Sequence, residues 1–403
     1  LGKSSSRLPN AYFKGLNFLL NEQPDKAIQV FLEAVEVDSE TVEMHLALGN
    51  LYRRRGEIER ATRIHQNLVA RTDLDKDLRA HALYELAQDY LKAGLFDRAE
   101  NLFQELREAS EYQDQACRHL LQIYDQEKEW RSAMVIAEEM YKSGSGQNAA
   151  ELVAQYSCEL AEKALAEGRY QEASHYLEQA FRYEPRSVRA AIQSGRVAAL
   201  NGDHRRAIEI WQGLQEQSPE FLGEIADHLA NSYRVLGDAE GYRAFLKSAV
   251  EENHDSRLVA ALVRMIHTQQ GSTKAEHFLV AWLRRNPSLE GLHQLVSSRL
   301  SHAAPGENED LVLLEDLISG VLRQDRDYLC RNCGFSGNTL HWQCPGCKSW
   351  NTMTRKRAGE SRRAKPNFAR VQPVKAVAGQ PQNALRPALD VKSSQFTPGV
   401  IRK

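Results

Sequence analysis

Residues 161–185 read AEKALAEGRYQEASHYLEQAFRYEP. Ala161 and Ala173 are small, Tyr170 and Leu177 are large, Gly168 separates two runs of helical periodicity, and Pro185 closes the second. Apolar residues three and four apart on both sides of a glycine specify two short amphipathic helices joined by a tight turn. The glycine ends the first helix in a conformation where a Cβ is penalised. Proline cannot continue the second helix, because it lacks the N–H that would bond back. The small residues let the two backbones approach, and the large ones fill the space on either side.

Working outward, the same signature recurs about every 34 residues between 9 and about 290. A first copy carries Gly15, Phe18, Ala27, Phe31 and Ala34; a second Gly49, Tyr52, Gly56, Ala61, His65 and Leu68. A third has Ala87, Tyr90, Gly94, Ala99, Phe103 and Leu106; a fourth Leu121, Tyr124, Trp130, Ala133, Ala137 and Met140. The quoted stretch is the fifth, and a sixth carries Gly195, Gly202, Ala207, Trp211, Leu214 and Pro219. Two looser copies follow. One keeps Ala230, Tyr233 and Gly237 but has Tyr242 where a small residue is expected; the other keeps Ala275, Leu279, Trp282 and Pro287. The second-helix alanine recurs at spacings of 34, 38, 34, 40 and 34 from Ala27 to Ala207. This places insertions at 71–78 and around 143–150, in turns between copies, where a solenoid tolerates them. The pattern resembles the tetratricopeptide repeat. The fold expected is all-α, a repeat solenoid over 9–300 with a long concave surface for peptides or partner proteins.

The composition agrees with a helical protein: 42% hydrophobic, 8% aromatic and 26% charged, with a net charge of -2. That near-neutral total hides an asymmetry. Residues 351–403 hold 12 Lys and Arg against Glu360 and Asp390, a net of +10, which leaves 40 basic and 52 acidic residues, a net of -12, in 1–350. No run approaches 18 continuous apolar residues, so nothing shown spans a membrane. The chain begins at Leu1 instead of Met, and a targeting or anchoring segment ahead of it is expected.

Four of six cysteines form two C-x-x-C pairs, Cys330/Cys333 and Cys344/Cys347, separated by ten residues. Each turn offers two thiolates to one ion, and two facing turns complete a tetrahedral sulfur site suited to zinc or iron. Thioredoxin-like redox pairs and disulfides fit less well, since no strand-to-helix unit surrounds either pair and the chain is otherwise cysteine-poor. With four protein ligands no position is open for substrate, so the metal is expected to hold structure. Tyr328, Phe335, Leu340, Trp342 and Trp350 supply the module's small apolar shell, and His341 is read as a surface or outer residue. Cys117 and Cys158 stand alone in helical patterns and read as buried thiols.

Between solenoid and module, 301–310 reads as a loop and 311–322 as a helix with one apolar stripe; together 301–327 form the connection. Only seven residues separate Leu322 from Cys330, so the metal module over 328–353 is expected to dock on the solenoid. Residues 354–403 read as a basic, disordered tail. It lacks the interleaved aromatics of a single-strand binder, and nucleic acid is not expected as a partner. The scattered histidines form no H-E-x-x-H pair, and there is no nucleotide loop or nucleophile elbow, so an enzyme is not expected.

The combination resembles the lipopolysaccharide assembly protein B family over roughly residues 9–353. It is carried by GLNFLL at 15–20, LGNLYR at 48–53, Ala99-Glu100, YSCELA at 156–161, and Cys330-x-x-Cys-Gly-Phe with Trp342-x-Cys344-Pro-x-Cys347. The resemblance implies a rubredoxin-like module whose single iron or zinc ion is held by Cys330, Cys333, Cys344 and Cys347. It also implies a membrane helix before Leu1, placing the repeats on the cytoplasmic face of the inner membrane. The implied partners are the membrane protease FtsH, the deacetylase LpxC, an inner-membrane regulator reporting on lipopolysaccharide supply, and other lipopolysaccharide assembly proteins. Self-association as a homo-dimer is compatible with it. The implied role is a non-enzymatic adaptor that promotes proteolysis of the deacetylase. The alternatives are a general scaffold for assembly enzymes and an iron-based redox protein. The basic tail departs from the family pattern.

Overall fold

The computed structural model describes residues 7–21, 23–37, 42–109, 111–146, 148–301, 309–324 and 326–356. Helices stack as consecutive antiparallel pairs: α1 (Arg7–Leu20) with α2 (Pro24–Val37), α3 (Val42–Arg54) with α4 (Ile58–Val69), and α5 (Lys76–Lys92) with α6 (Phe96–Ala109). Next come α7 (Gln113–Glu127) with α8 (Trp130–Ser143), α9 (Ala149–Ala166) with α10 (Tyr170–Tyr183), and α11 (Val188–Leu200) with α12 (His204–Gln217). After a 3-10 turn at Pro219–Phe221 follow α13 (Leu222–Leu236) with α14 (Ala239–Glu252), and α15 (Ser256–Gln270) with α16 (Ser272–Arg285). The last pair is α17 (Leu289–Leu300) with α18 (Glu309–Gln324). This is the tetratricopeptide-repeat solenoid. Each pair covers the apolar face of its neighbour, so the core is a continuous series of clusters along the stack.

The repeat residues do what their sizes require. The alanines at 27, 61, 99, 133, 173 and 207 are fully buried. A Cβ at Gly15, Gly49 or Gly195 would fall inside the side chain of Phe31, His65 or Trp211, each sixteen residues on in the paired helix. In the fourth pair the sizes are exchanged: the corresponding positions hold Leu121 and Ala137, and both are buried in one cluster. Tyr242, the exception to the small-residue rule, is buried as well, and its hydroxyl donates to the Ala226 carbonyl at 3.2 Å. The inter-helix turns take a left-handed residue, with Gly56, Gly94, Gly168, Gly202 and Gly237 at φ between 69° and 84°. The α7–α8 turn uses Lys128 (φ 59°) at this position instead, and Gly271 between α15 and α16 lies at φ 91°.

His65 occupies an apolar slot and is compensated by charge. Its Nδ1 lies 2.5 Å from Asp89 Oδ2, Asp89 accepts from Arg53 at 2.9 Å, and Arg53 also pairs with Glu85. Burial raises the Glu85 carboxyl, but hydrogen bonds from His81 and Arg53 outweigh it and hold the group at about 2. The network ties the second and third pairs together across their inner faces.

The helix that carries the apolar stripe at 311–322, α18, packs on α17 through Ile318, while Leu314, Leu317 and Val321 of the stripe stay exposed. Glu315 accepts from Ser297 at 3.1 Å, Ser319 lies 2.9 Å from His293, and Ile318 is buried. The helix expected at 311–322 is present as α18 and pairs with α17, and most of the loop expected before it lies outside the described residues. The terminal module is a three-stranded antiparallel sheet of order β2-β1-β3, with β1 (Tyr328–Cys330), β2 (Ser336–Gly337) and β3 (Met353–Arg355). Its last strand continues past the expected boundary at 353, because Tyr328 and Leu329 pair with Arg355 and Thr354. The basic tail from 357 onward lies outside the described residues. Among the described residues no helix is long and apolar enough to cross a membrane.

Candidate metal centre and its docking surface

The two C-x-x-C turns are knuckles with the same hydrogen-bond pattern. Gly334 N donates to Cys330 O at 3.0 Å and Lys348 N to Cys344 O at 2.9 Å; Cys330 N donates to Phe335 O and Cys344 N to Ser349 O. Face to face they bring all four Sγ atoms within 4.8 Å of one another. Sulfurs of opposite knuckles lie 3.7 Å apart (Cys330 and Cys347) and 3.6 Å apart (Cys333 and Cys344). Zinc–sulfur bonds of about 2.3 Å put tetrahedral sulfurs about 3.8 Å apart, so the donor set fits one tetrathiolate ion. Cys330 and Cys344 are buried while Cys333 is exposed. His341, 3.0 Å from the Thr339 hydroxyl on the exterior, is outside this cluster.

Polar neighbours favour thiolate on one diagonal. Burial pushes the Cys347 thiol up, but hydrogen bonds from Ser349 and the amide of Asn332 outweigh it and bring it to about 6. Cys330 is likewise lowered against burial by the Thr352 hydroxyl, 3.2 Å from its sulfur, and by backbone amides. Burial leads in raising Cys344. Cys333, whose Phe335 amide contact lowers it, is nevertheless pushed up to about 12 by burial and the three neighbouring thiols. A dication bound by the four cysteines would favour their thiolate forms and displace the remaining protons.

Tyr328, Met353, Phe335 and Leu340 form the module's own small core with the cysteines. Trp342 and Trp350, expected in that shell, are turned outward onto the solenoid. Trp350 is 9% exposed and meets Trp130 and Tyr156 edge-on, with ring centroids 6.2 and 5.9 Å away. Trp342 stacks on Phe221 at 5.6 Å. The Arg189 guanidinium lies over both tryptophans, 5.9 and 5.7 Å from their centroids. A polar rim completes the seam. Gln343 donates to Asp125 at 3.1 Å, Asn351 donates to Glu151 at 2.8 Å, and Gln155 donates to Asn351 at 3.2 Å. Farther along, the Tyr328 hydroxyl donates to Glu224, Arg257 donates to that hydroxyl at 3.1 Å, and Arg355 pairs with Asp255. Burial raises the Asp255 carboxyl, but Arg257 and Arg355 outweigh it and hold it below the usual range.

The sheet module thus lies along the first helices of consecutive pairs, from α7 to α15. Docking was expected from the short connection; the face is a finding of the structure. Gln155, Arg189, Glu224 and Arg257 recur at intervals of 34, 35 and 33 residues, so one polar repeat position supplies successive contacts. That recurrence was the signal available in the sequence.

Two family profiles match this architecture. The rubredoxin metal binding domain matches residues 328–355, and the tetratricopeptide repeat matches 14–71 and 158–220. Lipopolysaccharide assembly protein B of Escherichia coli (strain K12) is 36% identical over 350 residues, covering 87% of this chain and 90% of the relative. Its counterpart in Haemophilus influenzae is 34% identical over 359 residues, with the same shares covered. Among solved structures, MamA aligns over 42% of this chain and 94% of its own at 21% identity and a TM-score of 0.33. The identity and coverage of the curated relatives, together with repeats and a four-cysteine ribbon in this order, establish that the chain belongs to the lipopolysaccharide assembly protein B family.

Proposed function

We propose that the protein is a non-enzymatic adaptor in lipopolysaccharide assembly that brings the deacetylase LpxC to the membrane protease FtsH and so sets the supply of lipid A precursor. Family membership over most of the chain is the observation that carries this reading. The scaffold suits it: a long helical stack presents separated surfaces to two partners, and holding both raises the local concentration of one at the other without any chemistry by the adaptor. In this reading Cys330, Cys333, Cys344 and Cys347 hold one iron or zinc ion whose work is to fold the ribbon. The ribbon in turn braces the inner faces of α7 to α15. Anchoring at the cytoplasmic face of the inner membrane belongs to the same proposal, as does response to an inner-membrane regulator.

The test is the lifetime of LpxC in membranes containing FtsH, with and without the full-length protein. Shortened lifetime with the protein present, and co-purification of both partners, is the expected result. An unchanged lifetime with intact complexes among assembly enzymes would favour a general scaffold instead.

A further inference from the structure

A cleft of about 1200 Å³ opens where the ribbon meets α7 and α9. Of its acids, Glu159 is paired with Arg189, Asp125 and Glu151 accept from the neutral amides of Gln343 and Asn351, and Lys348 is near enough to Asp125 to favour its ionised form. Its cations make no direct side-chain bonds. Arg118, Lys128 and Lys348 line the cleft, and none forms an ion pair or side-chain hydrogen bond among the described residues.

Two of these cations stand where the molecule elsewhere uses glycine. Lys128 holds φ 59° in the inter-helix turn, the position filled by Gly94 in the preceding pair and Gly168 in the following one. Lys348 holds φ 58° immediately after the second knuckle, where Gly334 (φ 77°) follows the first. A lysine in left-handed backbone is disfavoured relative to glycine, so local folding does not account for either residue. Both strained lysines come from distant parts of the chain to one cleft, beside the apolar surfaces of Trp130, Leu340 and Trp342.

We propose that this composite cleft binds an acidic peptide segment of a partner protein, with Arg118, Lys128 and Lys348 meeting its carboxylates and the tryptophan and leucine walls taking its apolar side chains. The site exists only when the ribbon is docked, which makes metal binding a condition for recognition. The inference deepens the adaptor reading by naming the chemistry of a partner's recognition segment.

The experiment titrates the metal-loaded full chain into a fluorescein-labelled peptide of glutamates interspersed with alanine and leucine, followed by anisotropy. A counterpart with glutamine for glutamate is the control. The glutamate peptide should bind more tightly, and added salt should weaken it. The Lys128→Gly/Lys348→Gly variant keeps the backbone geometry used at the equivalent turns. It should retain its metal and melt no lower than the parent, yet lose affinity by about tenfold or more. Equal binding of the two peptides, or unchanged affinity in the folded double variant, overturns the proposal. Displacement by inorganic phosphate as effective, mole for mole, as unlabelled peptide makes this a small-anion site and overturns it too. Because the titration contains neither protease nor deacetylase, its failure removes the cleft alone, whereas failure of the degradation assay removes the adaptor reading.

Discussion

Arg189 lies over the Trp350 ring at 5.7 Å and donates to Glu159 at 2.8 Å, so one guanidinium joins the ribbon to two successive repeats. Its side chain is 5% exposed. Truncating it strands the Glu159 carboxylate and bares two indole faces. Arg189→Ala should cost about 3 kcal/mol, as expected for removing one partner of a largely buried pair. Hydrogen exchange should rise first across 340–355. Arg189→Lys, which keeps charge but loses the planar stack, should lie between the two. Faster exchange throughout the solenoid with 340–355 still protected would show that Arg189 serves only the repeats.

The fit of Gly195 against Trp211 makes a second prediction. Gly195→Ala drives a methyl into the indole, whose Nε1 donates to Ile192 O at 3.1 Å. Overpacking should destabilise by about 1–3 kcal/mol. Trp211→Leu makes room, so the double variant should be more stable than the sum of the single changes implies. Simple additivity in urea unfolding would show that the two residues do not share the strain. The exchanged pair Leu121 and Ala137 is the natural precedent for such a swap.

That pairing also shows why the solenoid was legible. A repeat fixes which residue faces which, and copies spaced by 34 reveal the rule even where one inverts it. The cysteine cluster was legible for a similar reason, since C-x-x-C spacing alone constrains the geometry. The ribbon's docking face was not. A tryptophan two or three residues from a cysteine reads equally well as core or as interface, and Trp342 and Trp350 proved to be the latter. The pairing of α18 with α17 was not legible either: Leu292, Leu313 and Leu317 are exposed, so the stripe read at 311–322 does not by itself say which neighbour the helix meets.

The ribbon seam should also respond to pH. Burial is the largest cause raising the Asp125 carboxyl from 3.8 to about 6, opposed by hydrogen bonds from Tyr156 and Gln343 and by Lys348, and assisted by Glu159. Ionising Asp125 is therefore harder in the folded protein than in the unfolded chain. Its contribution to stability is fully present below pH 3.8 and is lost as pH rises through about 6. Asp125→Asn keeps an acceptor for Gln343 without the charge. The variant should gain in melting temperature relative to the parent at pH 8, with the gain shrinking as pH falls below 6. Taking the difference cancels histidine and thiol titrations common to both proteins. A gain independent of pH would mean that Asp125 stays ionised, or stays neutral, across the whole range.

The ribbon's own core is too small to hold it folded. Tyr328, Met353, Phe335 and Leu340 surround the sulfurs, and a unit of about 30 residues needs metal to supplement so little apolar burial. Cys330→Ser or Cys347→Ser removes one ligand from the proposed tetrathiolate site. Metal content should fall, and the ribbon should release Trp350 from Trp130 and Tyr156. The solenoid clusters around Trp211 and Phe103 contain no cysteine ligand, so most helicity should survive. Circular dichroism should change little while tryptophan emission moves to the red, as an indole 9% exposed in the folded protein meets water. Chelation of the parent should produce the same pair of signals. A serine variant that keeps its metal and its blue-shifted emission would separate the ribbon's fold from the ion. Loss of far-ultraviolet signal in proportion to emission would instead show that the solenoid depends on the ribbon along its whole length.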